Sequence, residues 1–244
     1  MDIMKKKIIH LKTVDSTNTY LKLLAEKGEK EGCVVVSDKQ TSGRGRRGKS
    51  FFSPDGTGLY MSFLLQPEFS PDEALFITPC AAVATARAIE FMTKKPCLIK
   101  WVNDIYVDSK KVAGILTEGS FDFEKDKTNY VIVGVGVNVL SPLGDFPEEL
   151  RTLATSLDCG DIREKLSHKI LEEFFKLYKD FKSHSFIKEY KERSFIVGKT
   201  IEVMGYENIK GRVLEIDDCC RLVIELPDKT KKVLTSGEVS TKII

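Results

Sequence analysis

The pattern of apolar and polar positions predicts interleaved strands and helices over residues 1–193. Alternating or β-branched apolar runs predict strands at 7–14, 33–37, 58–66, 98–108, 110–118 and 129–140. Apolar residues at helical spacing predict helices from Asp15 onwards and at 71–93, 161–181 and 186–193. Interleaved elements of both kinds predict the α/β (α+β) fold class.

After residue 193 the pattern changes, and short strands alone are predicted. Apolar runs at 201–204, 210–216, 221–226 and 231–234 are separated by Gly, Asp and Pro turns. We therefore predict two domains, a larger one at 1–193 and a small, all-β, barrel-like one at 194–244. Because a domain of about fifty residues is marginal alone, we expect the smaller domain to pack on the larger.

Composition is that of an ordinary globular protein. Of the 244 residues, 42% are hydrophobic and 30% are charged, and a net charge of +2 predicts neither a nucleic-acid nor a membrane partner. The amino end has too few consecutive apolar residues for a signal peptide, and no run approaches the roughly 20 residues of a membrane span. Six cysteines without a Cys-x-x-Cys pair predict neither a zinc site nor a disulfide framework. A reducing, cytoplasmic location is the simplest prediction.

A glycine motif follows the second predicted strand. Gly43-Arg44-Gly45-Arg46-Arg47-Gly48 matches the dinucleotide pattern G-x-G-x-x-G, but that pattern needs a helix to begin at its last glycine. The next residues, 49–56, include Pro54 and Gly56 and cannot begin one. What remains is a flexible loop with three arginines and Lys49, and guanidinium groups suit phosphate oxygens. A solvated basic loop is the alternative, and the surrounding motifs favour phosphate binding.

The strand predicted at 110–118 carries a lysine among small and apolar neighbours. Period-two alternation puts Lys111 on one strand face with Ala113, Ile115 and Thr117. Lysines are rarely buried without a partner, so this one suits the carboxylate or phosphate of a ligand. The alternative is that Lys111 lies in water at the mouth of the strand.

The strand predicted at 129–140 has two unlike faces. Alternation puts five valines on one face and Ile132, Gly134, Gly136 and Asn138 on the other. A face that is nearly bare of side chains lets a ligand, or a tightly packed helix, approach the backbone closely.

Together these motifs resemble one family over essentially the whole chain. Segments 15–18, Gln40 with 43–48, 100–105, 111–118 and 134–139 occur in the order found in biotin protein ligases, and 236–240 is similar to a motif in that family's small carboxyl-terminal domain. The resemblance implies a catalytic domain related to class II aminoacyl-tRNA synthetases, followed by an SH3-like barrel. It also implies biotin and ATP as substrates, with Mg²⁺, and adenylation of biotin before its transfer to a lysine.

The resemblance implies a role for each motif residue as well. Contacts to biotin fall to Ser16, Thr17, Asn18, Gln40, Gly43, Arg44, Lys111 and Gly114. Contacts to the nucleotide fall to Arg44, Arg46, Arg47, Asn103, Asp104 and Asn138, the last of them at the adenine. The catalytic residues are Lys111, between the biotin carboxylate and the α-phosphate, and Arg46, on the adenylate. No residue is assigned to a metal site.

The chain departs from the family pattern at three places. Val102 stands where proline is common. No tryptophan follows Asn138, which leaves Phe146 or Leu153 to cover adenine. Many relatives begin with a DNA-binding helix-turn-helix, whereas here the catalytic motifs begin almost at residue 1, so we expect no such domain.

The partner implied by the family is a biotin carboxyl carrier protein domain of a biotin-dependent carboxylase. We expect no DNA or membrane partner, and a homodimer is possible. Two other functions are a lipoate ligase, which the glycine and arginine motif argues against, and a biotin-responsive repressor, which the lack of a helix-turn-helix argues against. A binding module without catalysis fits least, because Lys111 and the arginines are all present.

Overall fold

The computed structural model describes residues 7–204, 208–235 and 237–239. Its strands are β1 (Ile8–Val14), β2 (Val34–Gln40), β3 (Gly58–Leu65), β4 (Leu98–Lys100), β5 (Asp104–Val107), β6 (Lys110–Asp122), β7 (Lys127–Asn138), β8 (Thr200–Met204), β9 (Ile209–Ile216), β10 (Leu222–Glu225), β11 (Lys231–Leu234) and β12 (Glu238–Val239). Its helices are α1 (Thr17–Glu26), α2 (Pro71–Ala74), α3 (Ile77–Thr93), α4 (Arg163–Lys179) and α5 (Phe186–Glu192).

Seven strands form one sheet in the order β1-β2-β3-β7-β6-β5-β4. Strands β1 and β2 pair in parallel, and the other neighbours in this sheet pair antiparallel. The carboxyl-terminal strands form a second, antiparallel sheet in the order β11-β10-β9-β8-β12. The predicted α/β class with an all-β carboxyl-terminal part is therefore confirmed, while the boundary at residue 193 stays a prediction.

The larger sheet packs against helices on both faces. The five valines at 131–139 are buried in the main apolar core together with residues of α3, α4 and α5, as their alternation predicts. A smaller core on the opposite face joins Leu21 and Ala25 of α1 to Leu64 and Ile132 of the sheet. Beyond α1, this second face borders an open cleft.

The single helix predicted at 71–93 is wrong, because the chain forms α2 and α3 with a break between them. Pro79 lies in the first turn of α3 and lacks the amide that would bond to the carbonyl of Leu75, which favours a new helix start over a continuous helix. Pro71–Thr93 is also the one described segment that is long and apolar enough to cross a membrane. In the folded chain 67% of its apolar window is buried inside the protein.

The single strand predicted at 98–108 is wrong as well, because β4 and β5 form a hairpin. The indole nitrogen of Trp101 in its turn donates to the carbonyl of Cys220 at 2.8 Å, which ties the turn to the carboxyl-terminal sheet. The pairing of β4 with β5 places Lys100 and Asp104 opposite each other across the hairpin.

Candidate active site

An open cleft with a cavity volume of about 110 Å³ lies over the part of the larger sheet that α1 leaves uncovered. Its walls are the amino end of α1, the loop at 41–52 (the arginine loop), the β4–β5 turn, and Gly237 with Val239 of the carboxyl-terminal sheet. The predicted site residues that line it are Ser16, Thr17, Asn18, Gln40, Arg44, Arg46, Arg47, Asn103, Asp104, Lys111 and Gly114.

The bare face of β7 forms the floor of the cleft. A Cβ at Gly134 would lie 2.2 Å from Oδ1 of Asn18, so a side chain of α1 takes the space there. A Cβ at Gly136 would lie 2.6 Å from the ring of Phe51, which the arginine loop brings over the strand. The two glycines therefore make room for a side chain of α1 and for the ring of Phe51, and both glycines line the cleft.

The alternation predicted for β6 fails at Lys111. The register of β5 and β6 shifts by one residue, so that Val112 is an extra residue and Lys111 stands on the same face as Gly114. A Cβ at Gly114 would lie 3.3 Å from Nζ of Lys111. The bulge therefore brings the lysine over the glycine floor, and not onto the face of Ala113 as the simple alternation predicts.

Asp104 is the counter-ion of this lysine. Its Oδ1 lies 2.6 Å from Nζ of Lys111, and its Oδ2 lies 3.5 Å from Nζ of Lys100. Burial alone would raise the pKa of the Asp104 carboxyl, but the positive charges of Lys111 and Lys100 outweigh burial and hold the pKa below its ordinary value of 3.8. The carboxylate is therefore ionised at neutral pH and holds two lysines together.

Two arginines of the arginine loop reach the carboxyl-terminal sheet. Nη1 of Arg46 donates to the carbonyl of Gly237 at 3.3 Å, and Nη1 of Arg47 donates to the carbonyl of Met204 at 3.2 Å. Nη1 of Arg46 also lies 3.5 Å from Oδ1 of Asn103. The loop and the carboxyl-terminal sheet thus close the same side of the cleft.

Gln40 is held in one orientation at the opposite end of the cleft, the polar end, which Ser16 and Thr17 also line. Its Oε1 accepts a hydrogen bond from the backbone amide of Thr17 at 2.9 Å, and its Nε2 donates to Oγ of Ser53 at 2.9 Å. The described cleft lining does not include Gly43, whose added Cβ would lie 2.4 Å from the carbonyl oxygen of Phe51. The lack of a side chain at Gly43 therefore allows the beginning of the arginine loop to pack closely against its end at Phe51.

Asn18 connects α1 to two strands and, through one of them, to the arginine loop. Its Nδ2 donates to Oε2 of Glu118 at 2.9 Å, and its Oδ1 lies 2.6 Å from Oγ of Ser62. The other carboxylate oxygen of Glu118 pairs with Nη2 of Arg44 at 2.9 Å. Both amide atoms of Asn18 are thus used within the protein.

No α-helix begins at the end of the glycine motif, and this absence is what residues 49–56 predict. A short 3₁₀ turn at Arg46–Gly48 is followed by Lys49 in an extended conformation. Gly48 has a φ of +76°, which a residue without a Cβ adopts readily. The rejection of a dinucleotide-binding helix is therefore confirmed.

Two residues predicted on the nucleotide side do not belong to the described lining of the cleft. Nδ2 of Asn138 donates to the carbonyl of Thr155 at 3.1 Å. Phe146 is only 1% exposed and packs on Phe52, with ring centroids 5.5 Å apart. Burial therefore removes Phe146 from the candidates for covering adenine.

Leu153, the other candidate, is 40% exposed and lines an adjoining apolar slot. The slot shares Lys100 with the cleft, and it is also lined by Tyr106 and Phe195, whose ring centroids are 5.1 Å apart. The backbone carbonyl of Leu153 accepts a hydrogen bond from the amide of Lys111 at 2.9 Å. The slot therefore begins beside the lysine of the cleft.

Sequence reasoning gave no role to Phe51, Ser53, Ser62 or Glu118. Phe51 and Ser53 follow the glycine motif directly, and an aromatic and a hydroxyl in such a loop are a signal that could have identified them. Ser62 and Glu118 enter the site through strand pairing and helix packing, which local sequence patterns do not encode.

No three metal-binding side chains come together in the described ranges of the chain. Mg²⁺ is commonly held by one or two carboxylates together with substrate phosphates. Asp104, the carboxylate of the cleft lining, already pairs through its two oxygens with Lys111 and Lys100, so it does not fit a preformed metal centre, and a magnesium ion would have to arrive with the phosphates of a nucleotide.

Comparison with known proteins agrees with this geometry. Residues 10–138 match the biotin/lipoate A/B protein ligase family, and residues 197–242 match the biotin protein ligase C terminal domain. The chain is 36% identical to the bifunctional ligase/repressor BirA of Bacillus subtilis, over 96% of this chain and 74% of that protein. It is 28% identical to the biotin–[acetyl-CoA-carboxylase] ligase of Mycobacterium tuberculosis, over 92% of this chain and 85% of that protein.

Solved structures give the same result. The biotin protein ligase from Aquifex aeolicus, in complex with biotin and ATP, superposes with a TM-score of 0.80 and 32% sequence identity, covering 96% of this chain and 98% of that chain. The chain therefore belongs to the biotin/lipoate A/B protein ligase family. Its branch is that of the biotin protein ligases, so the predicted enzyme class is confirmed.

Proposed function

We propose that this chain attaches biotin to one lysine of a biotin carboxyl carrier protein domain in two ATP-dependent steps. First, the biotin carboxylate attacks the α-phosphate of ATP, which forms biotinyl-5′-adenylate and releases pyrophosphate. Then the amine of the carrier lysine attacks the acyl carbon, which forms an amide and releases AMP. The observation that carries the proposal is Lys111, paired with Asp104 at 2.6 Å, over a glycine floor between a hydrogen-bonded polar end and an apolar slot.

The polar end, with Ser16, Thr17 and Gln40, suits the ureido ring of biotin. That ring has two N–H donors and one carbonyl acceptor. The cleft offers hydroxyl groups and the side-chain amide of Gln40, which hydrogen bonds to Thr17 and Ser53 already hold in place. A polar group left unpaired in a buried site costs about 1–3 kcal/mol, so a fixed set of partners selects the matching ligand. The backbone at Arg44 and Gly114 completes this end.

Lys111 and Arg46 supply positive charge where phosphate charge develops. Asp104 holds the ammonium of Lys111 in place before substrates bind, so little reorganisation is needed during the reaction. Arg46 approaches from the arginine loop on the side of Asn103 and the carboxyl-terminal sheet. The two cations would flank the α-phosphate and then the adenylate.

The slot at Leu153 suits the adenine of ATP. Its apolar and aromatic walls favour a flat, weakly polar ring, and the backbone bond from Lys111 to Leu153 keeps the slot next to the reacting phosphate. Asn138 would support this wall through its bond to Thr155. Because both oxygens of Asp104 pair with lysines, Mg²⁺ that arrives with ATP would be held mainly by the phosphates and water, and it would neutralise charge on the phosphates.

The acceptor protein is inferred from chemistry and from a relative. The Mycobacterium tuberculosis relative is named for acetyl-CoA carboxylase, and we propose an acceptor lysine of the same class for this chain. A homodimer and a cytoplasmic location stay predictions.

The first step is tested by biotin-dependent exchange of labelled pyrophosphate into ATP. We expect exchange with biotin and none with lipoate, which separates the two branches of the family. Exchange supported by lipoate alone, or by neither acid, would contradict the proposal.

A further inference from the structure

The arginine loop is fastened to the two ends of the cleft by different arginines. Nη2 of Arg44 lies 2.9 Å from Oε1 of Glu118 on β6, at the polar end. Arg46 bonds instead to the carbonyl of Gly237, on the side of the carboxyl-terminal sheet. The two guanidinium groups therefore have separate surroundings, although one residue separates them in the sequence.

Glu118 uses both of its carboxylate oxygens. One oxygen pairs with Arg44, and the other accepts a hydrogen bond from Nδ2 of Asn18 at 2.9 Å. Asn18 is buried, whereas the side chains of Glu118 and Arg44 are 30% and 47% exposed. The carboxylate of Glu118 thus joins the long, partly exposed side chain of Arg44 to the buried side chain of Asn18 on α1.

Asn18 continues this connection along the polar end of the cleft. Its Oδ1 lies 2.6 Å from Oγ of Ser62, which in turn lies 2.7 Å from Oγ1 of Thr17. Thr17 bonds to Gln40, and Gln40 bonds to Ser53. Thr17 and Gln40, two of the side chains proposed to bind the ureido ring, are therefore connected to Arg44, and the one carboxylate in the connection is Glu118.

We propose that Glu118 is a positioning residue for biotin. It holds Arg44 at the polar end, so that the first arm of the arginine loop stays against the ureido-binding groups. This inference rests on the proposed function, and it places Arg44 at the biotin end of the cleft.

The test is calorimetric binding of biotin to Glu118→Gln, which keeps an acceptor for Asn18 but removes the charge that faces Arg44. Biotin should bind about three- to fivefold more weakly, the scale of one half-exposed ion pair, while the KM for ATP at saturating biotin stays unchanged. Arg44→Ala, on the exposed loop, should weaken biotin binding to a similar extent. The double variant should be no weaker than either single variant, because the two residues act as a pair.

A matched control is Asp161→Asn, which removes an arginine–carboxylate pair at 2.7 Å outside the described cleft lining, that of Asp161 with Arg163. Its biotin affinity should equal that of the parent. Unchanged biotin affinity in Glu118→Gln, additive effects in the double variant, or equal losses for biotin and ATP would overturn the positioning role. If the parent itself does not bind biotin, the proposed function fails, and the inference fails with it.

Discussion

The ammonium nitrogen of Lys111 lies 2.6 Å from Oδ1 of Asp104, on adjacent strands whose register is shifted by a bulge at Val112. Without the bulge, the lysine would stand on the opposite face of β6, away from Gly114. The bulge and the ion pair together hold one positive charge over the glycine floor. The reactivity proposed for the cleft depends on this pair.

Removing this charge should stop the first step. We expect Lys111→Ala to lower the rate of adenylate formation by about 10²–10³-fold, the usual cost of losing one preorganised donor to developing charge. The fold should survive, because the side chain of Lys111 is 30% exposed and its backbone bonds to 153–155 remain. Pyrophosphate release measures the rate, and circular dichroism measures the fold.

Lys110→Ala is the matched control, because Lys110 is the neighbouring lysine and its ammonium donates to the carbonyl of Arg151 at 3.3 Å. We expect its pyrophosphate release to equal that of the parent. Near-normal release by Lys111→Ala, or equal losses in both variants, would refute the role of Lys111.

The stability of the folded chain should depend on Asp104 at neutral pH and not in acid. Because Lys111 and Lys100 lower the pKa of this carboxyl below 3.8, its ionised form stabilises the folded state above that pH. The contribution is lost as the pH falls through the lowered pKa. We expect Asp104→Asn to have a smaller free energy of unfolding than the parent at neutral pH, and the difference should shrink below pH 3.8. Urea denaturation at each pH measures it, and a difference that grows in acid would contradict the ion pair.

Arg46→Gly should make the enzyme release its intermediate. A guanidinium that meets the adenylate phosphate inside a closed loop slows dissociation, and single-site affinity changes usually appear in the off-rate. Losing a charge-assisted hydrogen bond of about 1.5–3 kcal/mol shortens the lifetime of the complex by about one to two powers of ten. Lys111 remains, so adenylate formation should be weakened but not lost.

Escaped adenylate would acylate any nearby amine. The parent and the Arg46→Gly variant are each incubated with biotin, ATP, a carrier domain and an unrelated lysine-rich protein, which are then probed for biotin. The unrelated protein should be labelled only by the variant. If it stays unlabelled while the carrier is still modified, Arg46 does not retain the intermediate.

The arginine loop should become ordered at its tip when ligands bind. The amides of Thr41, Ser42 and Phe51 at its base have backbone partners, so these should be protected from hydrogen exchange in the free enzyme. The tip at 44–50 is mostly exposed. The amides of Gly45 and Lys49 already donate to backbone carbonyls within the tip, so we expect the protection of the other tip amides to rise with biotin and ATP. Equal protection of the tip in the free and liganded enzyme would contradict a closing loop.

Local patterns predicted much of this site because its parts are local. The valine face of β7, the glycine loop that opens no helix, and the strands from Thr200 onwards all follow from residues close together in the sequence. The family motifs also led to most of the cleft lining. Chain order and residue type were sufficient for these features.

The rest depends on contacts that local patterns do not encode. The bulge at Val112 arises from pairing between β5 and β6, and it reversed the face predicted for Lys111. The role of Glu118 became visible only when Arg44 and Asn18 were found on either side of it. The break before α3 is different, because Pro79 in the sequence is a signal that could have been used.

The most direct test of the account is transfer of labelled biotin to a purified biotin carboxyl carrier domain, with and without ATP. We expect label on one lysine of the carrier when ATP and Mg²⁺ are present, and none when ATP is omitted. Preformed biotinyl-5′-adenylate should restore the transfer without ATP. Transfer that needs neither ATP nor the adenylate, or no transfer with all components present, would contradict a two-step ligase.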